Sequence, residues 1–495
     1  MSLIDVKNLS FAYEGSYDKV FENVSFRIDT DWKLGFTGRN GRGKTTFLKL
    51  LLGRYPYEGT ITANAEFEYF PFEVGNKEAD TAAVISGILG EYQSWRLLRE
   101  LNLLEVAEDV LDRPFSTLSN GEQTKLLLAA LFLRENSFLL IDEPTNHLDL
   151  SGREIVSRYL NSKRGFILVS HDRAFLDGCV DHIMSINKAD IEIQKGNFST
   201  WWYNKELQDS FELAENERLK KDIKRLTETA LEKEQWSETA ERRKIGFDPK
   251  STEKNIGRRP LQGAKSKKMM SRAKAIGERQ YAAIEEKSKL LKNLEDSDEI
   301  KLVTLKYHSE RLLELKNISI FYSGKPVCEN VCFEIRQGDR IALCGKNGSG
   351  KSSVLKLICG EPIEYTGELY MGSQLIISYV SQETAHLSGS LSDYARDNGL
   401  DESLFKAMLR KLDFSRVQFE KNMEDFSGGQ KKKVLLAASL CRRAHLYVWD
   451  EPLNFVDVIS RMQVEKLLLE YRPTLLFVEH DKAFCQNIAT KTVEL

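Results

Sequence analysis

Two stretches of the chain have residue types and spacing suited to holding a phosphate chain. Gly38-Arg39-Asn40-Gly41-Arg42-Gly43-Lys44-Thr45 and Gly345-Lys346-Asn347-Gly348-Ser349-Gly350-Lys351-Ser352 both fit G-x-x-x-x-G-K-[ST]. Glycines at Gly38, Gly41 and Gly43 permit a tight turn in which successive N–H groups and a helix N-terminus face one anion. Lys44 then places a point charge on the outer phosphates and Thr45 a hydroxyl on Mg²⁺. Gly345, Gly348, Gly350, Lys351 and Ser352 offer the same groups, and Asn40, Thr46, Asn347 and Ser353 complete the two loops. One such match arises by chance in roughly a few per cent of chains this long. Two in register set aside the alternative of a solvated glycine-rich turn.

A second pair of blocks supplies carboxylates. In Asp142-Glu143-Pro144 and Asp450-Glu451-Pro452, the aspartate is suited to holding Mg²⁺ through water, and the glutamate to polarising a water in line with a terminal phosphate. An isolated Asp-Glu-Pro is more often a turn, but here each follows an apolar run in a chain with phosphate loops. His171 and His480 could sense the γ-phosphate, against the plainer reading of surface histidines. Tyr13 and Tyr322 could stack on adenine, unless Phe11 or Phe321 takes that role and the tyrosines are core.

These groups recur because the chain contains one domain twice. Lys44 and Lys351 are 307 residues apart, Glu143 and Glu451 are 308, and His171 and His480 are 309. An offset so constant means two copies of a domain, not a solenoid of short repeats. In each copy an apolar run (33–37, 340–344) leads into the glycine-rich loop and then a helical pattern. Further buried strands are expected at 138–141, 166–169, 446–449 and 474–478. Their carboxyl ends carry the carboxylates and histidines, where open α/β sheets bind ligands.

The 495 residues, 41% apolar and 29% charged, exclude a wholly disordered chain and suggest several folding units. No apolar stretch approaches the length needed to cross a bilayer, so no membrane segment is expected. Seven scattered cysteines without a CxxC pair fit a reducing cytoplasm. The net charge of −3 hides an uneven distribution. Residues 242–274 hold twelve Lys/Arg against Asp248 and Glu253, a local +10 that leaves −13 on the remainder. Such concentration suits contact with a polyanion.

That basic segment lies between the copies. Leu219, Ile223, Leu226 and Ala230, and then Ala273, Ile276, Ala283 and Leu290, keep helical spacing on either side of a centre rich in Gly and Pro. The expected arrangement is an antiparallel helical hairpin over 201–300, flanked by nucleotide-binding copies at 1–200 and 301–495. Gly277 weakens the second stripe, since glycine within a helix costs about 1 kcal/mol. A helix over 205–244 would be about 60 Å long. The extended loop, about 246–264, would place Arg258, Arg259, Pro260, Leu261 and Gln262 at its tip, aimed at structured RNA. A solvated coiled-coil spacer is the plainer alternative.

Ser119-Asn120-Gly121-Glu122-Gln123 and Ser427-Gly428-Gly429-Gln430, each opening an amphipathic helix, resemble the signature of ABC-type ATPases. That resemblance implies an α/β fold of two tandem nucleotide-binding domains with two ATPs sandwiched between them. Ser427 and Gly429 would complete the site around Lys44, and Ser119 and Gly121 the site around Lys351. The family also places a Gln beyond the loop-bearing helix to link Mg²⁺ and the attacking water. Gln382 fits, whereas Phe72 stands in the equivalent place of the first copy. The two sites are therefore expected to turn over unequally.

Two copies on one chain, joined by a charged helical linker, resemble the ABC-F proteins, which act on ribosomes. The stretch from Tyr447 to Val458 and the first glycine-rich loop are similar to the Lsa- and Vga-type antibiotic-resistance branch. The resemblance implies a monomer that closes on ATP and binds the E site of the bacterial 70S ribosome. Its linker would meet 23S rRNA and P-site tRNA and protect the peptidyl-transferase centre from lincosamides, pleuromutilins and group A streptogramins, with hydrolysis releasing the protein. Rival readings are a housekeeping ABC-F translation factor, the ATPase subunit of an efflux transporter, and a DNA-maintenance ATPase.

Overall fold

The computed structural model describes residues 2–14, 19–134, 136–146, 148–187, 190–244 and 304–495. The chain divides into two units, one of Met1–Trp201 with Asp298–Leu495 and one of Trp202–Ser297. The first unit contains both copies. In the first copy the strands are β1 (Leu3–Ala12), β2 (Lys19–Asp29), β3 (Lys33–Thr37), β4 (Glu58–Thr62), β5 (Glu66–Phe70), β6 (Ser137–Asp142), β7 (Phe166–Val169), β8 (His182–Asn187) and β9 (Asp190–Lys195). The second copy follows with β10 (Arg311–Tyr322), β11 (Lys325–Arg336), β12 (Arg340–Cys344), β13 (Glu364–Met371), β14 (Ile377–Val380), β15 (Leu446–Asp450), β16 (Leu475–Val478) and β17 (Lys491–Glu494).

Each copy has a small antiparallel sheet, ordered β2-β1-β4 and β11-β10-β13, and a larger α/β sheet. The larger sheets run β5-β6-β7-β3-β8-β9 and β14-β15-β16-β12-β17. They are parallel throughout except for β9, which pairs antiparallel with β8. Helices cover such strands on both faces, and β7 and β16 are accordingly unbroken apolar runs, buried at every residue. Register brings the functional ends together. Asp142 pairs with Val169, and Val169 pairs with Phe36, one residue before the end of β3. Asp450, Val478 and Leu343 repeat the alignment.

Core packing fixes the first glycine-rich loop from both sides. Leu34 and Phe36 precede it and Phe47 and Leu48 follow it, all fully buried in one cluster. Truncating Phe47 to alanine would cost about 3–5 kcal/mol and loosen the loop. Ile341, Leu343, Val354 and Leu355 play the same part in the second copy.

The helix Phe198–Lys244, 47 residues and roughly 70 Å long, starts at the end of the first copy and supplies the described part of the second unit from Trp202 onward. It contains the helix expected at 205–244 and starts earlier because Phe198 and Trp201, with ring centroids 5.4 Å apart, are buried in its first turn. The second stripe (Ala273 to Leu290), Gly277 and the tip residues Arg258, Arg259, Pro260, Leu261 and Gln262 lie outside the described residues. Among the described residues no helix is long and apolar enough to cross a membrane.

Candidate active site

Both glycine-rich loops have the backbone their glycines permit. Gly38, Gly41 and Gly43 have φ of 151°, 79° and 96°, and Gly345, Gly348 and Gly350 have 148°, 84° and 88°. A side chain at Gly43 would run into Val20 and Phe21 even if its backbone tolerated one. Gly43 and Gly350 open the helices Lys44–Leu51 and Lys351–Ile358 without side-chain caps, so the N-terminal amides have no internal acceptor. Lys44 Nζ donates to Gly38 O at 2.7 Å and Arg39 O at 3.2 Å, and Lys351 Nζ to Gly345 O and Lys346 O at 2.9 and 2.8 Å. Each ammonium is thus curled over its own loop. Burial lowers the pKa of both lysines, which favours an anion as a further partner.

The hydroxyl and carboxylate expected to share a cation are already paired. Thr45 Oγ1 donates to Asp142 Oδ2 at 2.9 Å, and Ser352 Oγ to Asp450 Oδ1 at 3.1 Å. Asp450 Oδ2 is buried without a hydrogen-bond partner among the described residues, and burial raises its pKa. An acceptor in that condition suits a divalent cation or its water. The donor set therefore fits Mg²⁺ bound to a triphosphate, where the ion would neutralise phosphate charge.

Glu143 and Glu451 follow β6 and β15 with φ of 50° and 46°, a left-handed conformation that a non-glycine residue adopts at a cost and that is common at functional sites. Their amides donate to Val169 O and Val478 O, tying each glutamate to the strand that leads to its histidine. His171 Nε2 lies 3.3 Å from Glu143 Oε1, and His480 Nε2 lies 3.4 Å from Glu451 Oε1. Both histidines are buried, which disposes of the surface alternative. Burial, then Lys44 and Arg461, hold the His171 pKa well below its ordinary value.

Tyr13 is 44% and Tyr322 46% exposed, whereas Phe11 is buried in the core. The Tyr13 and Thr46 hydroxyls share a 2.6 Å hydrogen bond, which sets the Tyr13 ring beside the loop.

The signature helices carry capping boxes. Ser119 Oγ accepts from Glu122 N while Glu122 accepts from Ser119 N, and Ser427 and Gln430 repeat the exchange. The second signature reaches the first loop. Asn40 Nδ2 donates to Phe455 O at 2.7 Å, and a side chain at Gly429 would meet both Phe455 O and Asn40. Arg39 is paired with Asp413 of the second copy. Ser427 and Gly429 are thereby brought toward Lys44. At the other loop, Asp149 of the first copy acts electrostatically on Lys351.

Several residues that sequence reasoning missed complete the sites. Tyr69 Oη donates to Asp142 Oδ2 at 3.0 Å. Asn454 Nδ2 donates to Glu451 Oε2 at 2.5 Å, beside the expected Gln382, whose Nε2 donates to the same oxygen at 2.9 Å. Lys432 Nζ donates to Ser381 O and Glu451 O. Asp149 and Asp457 cap the helices Leu150–Asn161 and Val458–Tyr471, from which Arg153 and Arg461 reach back toward the histidine loops. The signal was available: Asp149 with Asp457 and Arg153 with Arg461 repeat the 308-residue offset of the glutamates.

A family model described as ABC transporter matches residues 21–146 and 328–454, just over half of the chain. The chain belongs to the ABC transporter family. With both copies on one polypeptide it is a tandem ABC ATPase of the ABC-F type, which binds and hydrolyses ATP. ATP-binding protein Uup of Buchnera aphidicola subsp. Acyrthosiphon pisum is 29% identical over 511 residues, covering 99% of this chain and 80% of Uup. Ribosome protection protein VmlR of Bacillus subtilis is 28% identical over 492 residues, covering 98% of this chain and 85% of VmlR. Among solved structures, the RNase-L Inhibitor matches this ABC ATPase with a TM-score of 0.60 at 19% identity, covering 99% of this chain and 87% of its own. The archaeal ribosome recycling factor aABCE1, solved with stalk protein aP1, gives 0.63 at 19% identity, covering 98% and 87%. At that identity the structural likeness speaks for the fold.

Proposed function

We propose that this ATPase is a ribosome-bound factor of the Lsa- and Vga-type branch. ATP closes its two copies on each other, and the basic linker then enters the E site of the bacterial 70S ribosome. The observation that carries this reading is the contact of the second copy's signature loop with the first copy's phosphate loop, through Asn40, Phe455 and Gly429, on a chain whose intervening segment is strongly cationic. A curated relative named as a ribosome protection protein supports the same partner.

In this reading the domain limits are 1–200, 201–300 and 301–495, and the protein works in the cytoplasm as a monomer. Thr45 and Asp142, and Ser352, Asp450 and Gln382, hold Mg²⁺. Glu143 and Glu451 activate water, with His171 and His480 facing the γ-phosphate. Arg258 to Gln262 approach the peptidyl-transferase centre beside P-site tRNA and 23S rRNA, and lincosamides, pleuromutilins and group A streptogramins are displaced. Affinity falls steeply with salt, since a tip bearing +10 releases counterions on binding.

The deciding experiment is sedimentation of the Glu143→Gln, Glu451→Gln protein with 70S ribosomes. Pelleting that depends on ATP supports the reading, and protein left in the supernatant overturns it. A raised lincosamide tolerance on expression in a susceptible cell then separates drug protection from a housekeeping translation role.

A further inference from the structure

Among the buried charges, one guanidinium joins parts of both copies. Arg153 sits in the first turn of Leu150–Asn161, a helix capped by Asp149 through Gly152 N at 2.8 Å. Its Nε donates to Leu148 O at 3.1 Å, within its own turn. Its Nη1 donates to Asp172 Oδ2 at 2.8 Å, beside His171, and to the backbone carbonyl of His480 at 2.9 Å, in the second copy. Asp172 in turn caps the next helix through Phe175 N. A lysine has neither the planar fork nor the reach to serve three fixed acceptors at once.

The repeat breaks its symmetry here. Arg461, the counterpart, donates from Nε to Val456 O and from Nη1 to Asp481 Oδ2, so among the described residues its hydrogen bonds stay within the second copy. Other crossings flank it: Arg173 donates to Glu465 at 2.6 Å, and Lys482 of the second copy donates to Glu154 at 2.6 Å. The backbone of His480, whose ring faces Glu451, is therefore held by a side chain of the opposite copy.

We propose that Arg153 is a positioning residue for the second site: through the His480 carbonyl, closure of the first copy sets the histidine that faces Glu451. Hydrolysis at the second site is thereby made conditional on docking of the first copy's helix, while the first site has no matching hydrogen bond from Arg461. Arg153 acts through the His480 carbonyl, so its effect is on the geometry of the pair formed by His480 and Glu451.

The test is Arg153→Lys, which keeps a cation for Asp172 and removes the fork. In the full chain with histidines labelled at Cε1, and with His480 assigned by His480→Gln, the His480 resonance is expected to move more than that of His171. Turnover measured in a Glu143→Gln background should fall roughly tenfold or more, with KM for ATP little changed, because small displacements at a reacting centre are costly. In a Glu451→Gln background it should fall less than about twofold. An unmoved His480 resonance, or equal losses in both backgrounds, overturns the proposal. If Glu143→Gln alone silences both sites, the histidine spectrum decides. If Arg153→Lys melts early, Arg153→Gln with Asp172→Asn removes both buried charges together and is judged by the same spectrum.

Discussion

The two phosphate loops differ less than the glutamates that serve them. Glu143 is buried beside Asp142, and its carboxyl is pushed up to about 8, the pull of Lys44 and Arg461 notwithstanding. Its Oε1 takes no well-directed hydrogen bond among the described residues. Glu451 is also buried, which would raise it, but His480, Gln382 and Lys432 outweigh burial and hold its pKa below the ordinary value. The counterparts of Gln382 and Lys432 in the first copy are Phe72 and Thr124. The two copies share their glycine-rich loops and strand-end aspartates and differ in the groups around the glutamates.

The largest expected consequence is in the glutamates themselves. With Glu451 lowered and Glu143 raised, neutral pH favours the ionised form of Glu451 over that of Glu143, and most turnover is expected at the second site. Glu451→Gln should lower steady-state phosphate release by about a hundredfold, the low end of general-base effects. Glu143→Gln should cost far less. Equal losses would dissolve the contrast.

A pH series sharpens the same comparison. With a folded pKa raised above the free value, Glu143 gives up its own proton, and so becomes free to take one from water, only once the pH passes about 8. The residual rate of Glu451→Gln should therefore climb through about pH 8, while that of Glu143→Gln stays level from neutral pH upward, since its lowered base is already ionised. Phosphate release across that range, with stability followed separately by thermal melting, distinguishes the two curves.

Exchange of the supporting residues should have an intermediate effect. Gln382→Phe removes one of two amide donors from Glu451 Oε2 and should slow the second site about tenfold, equivalent to ~1.4 kcal/mol in the barrier. Phe72→Gln together with Thr124→Lys should lower the pH at which the first site becomes active. A first-site profile that does not move would show that burial alone sets Glu143.

Much of this was legible in the sequence because it is local. The strands at 33–37, 166–169 and 340–344 have the expected limits, since a short apolar run bounded by a glycine-rich turn, or at 166–169 by polar residues leading to His171, admits few alternatives. The helix following Ser119 begins at Asn120, because the capping box sets its N-terminus. Phe72 in place of a Gln already marked the surroundings of the two glutamates as different. What stayed hidden depends on contacts between distant segments: Tyr69 on Asp142, Arg153 on the His480 carbonyl, and the burial that raises Glu143. Each is made by residues that look like ordinary strand or helix positions until the sheet register and the opposite copy bring their partners in.

The smallest expected effect concerns how each loop is covered. Asn40 is partly buried and donates to Phe455 O across the copies, whereas its counterpart Asn347 is exposed. Asn40→Ala leaves that carbonyl without its donor and should lower stability by about 0.5–1.5 kcal/mol, the usual net worth of one hydrogen bond. Asn347→Ala should leave stability unchanged within about 0.5 kcal/mol, as for other exposed positions. Denaturant melts of the two variants without nucleotide read this difference directly. ATP should narrow it, because a triphosphate in the first loop offers the Asn40 amide and the signature helix a common anionic partner. A difference that persists undiminished at saturating ATP would mean that the Phe455 contact belongs equally to the loaded form, and that nucleotide does not displace the coverage seen at the first site.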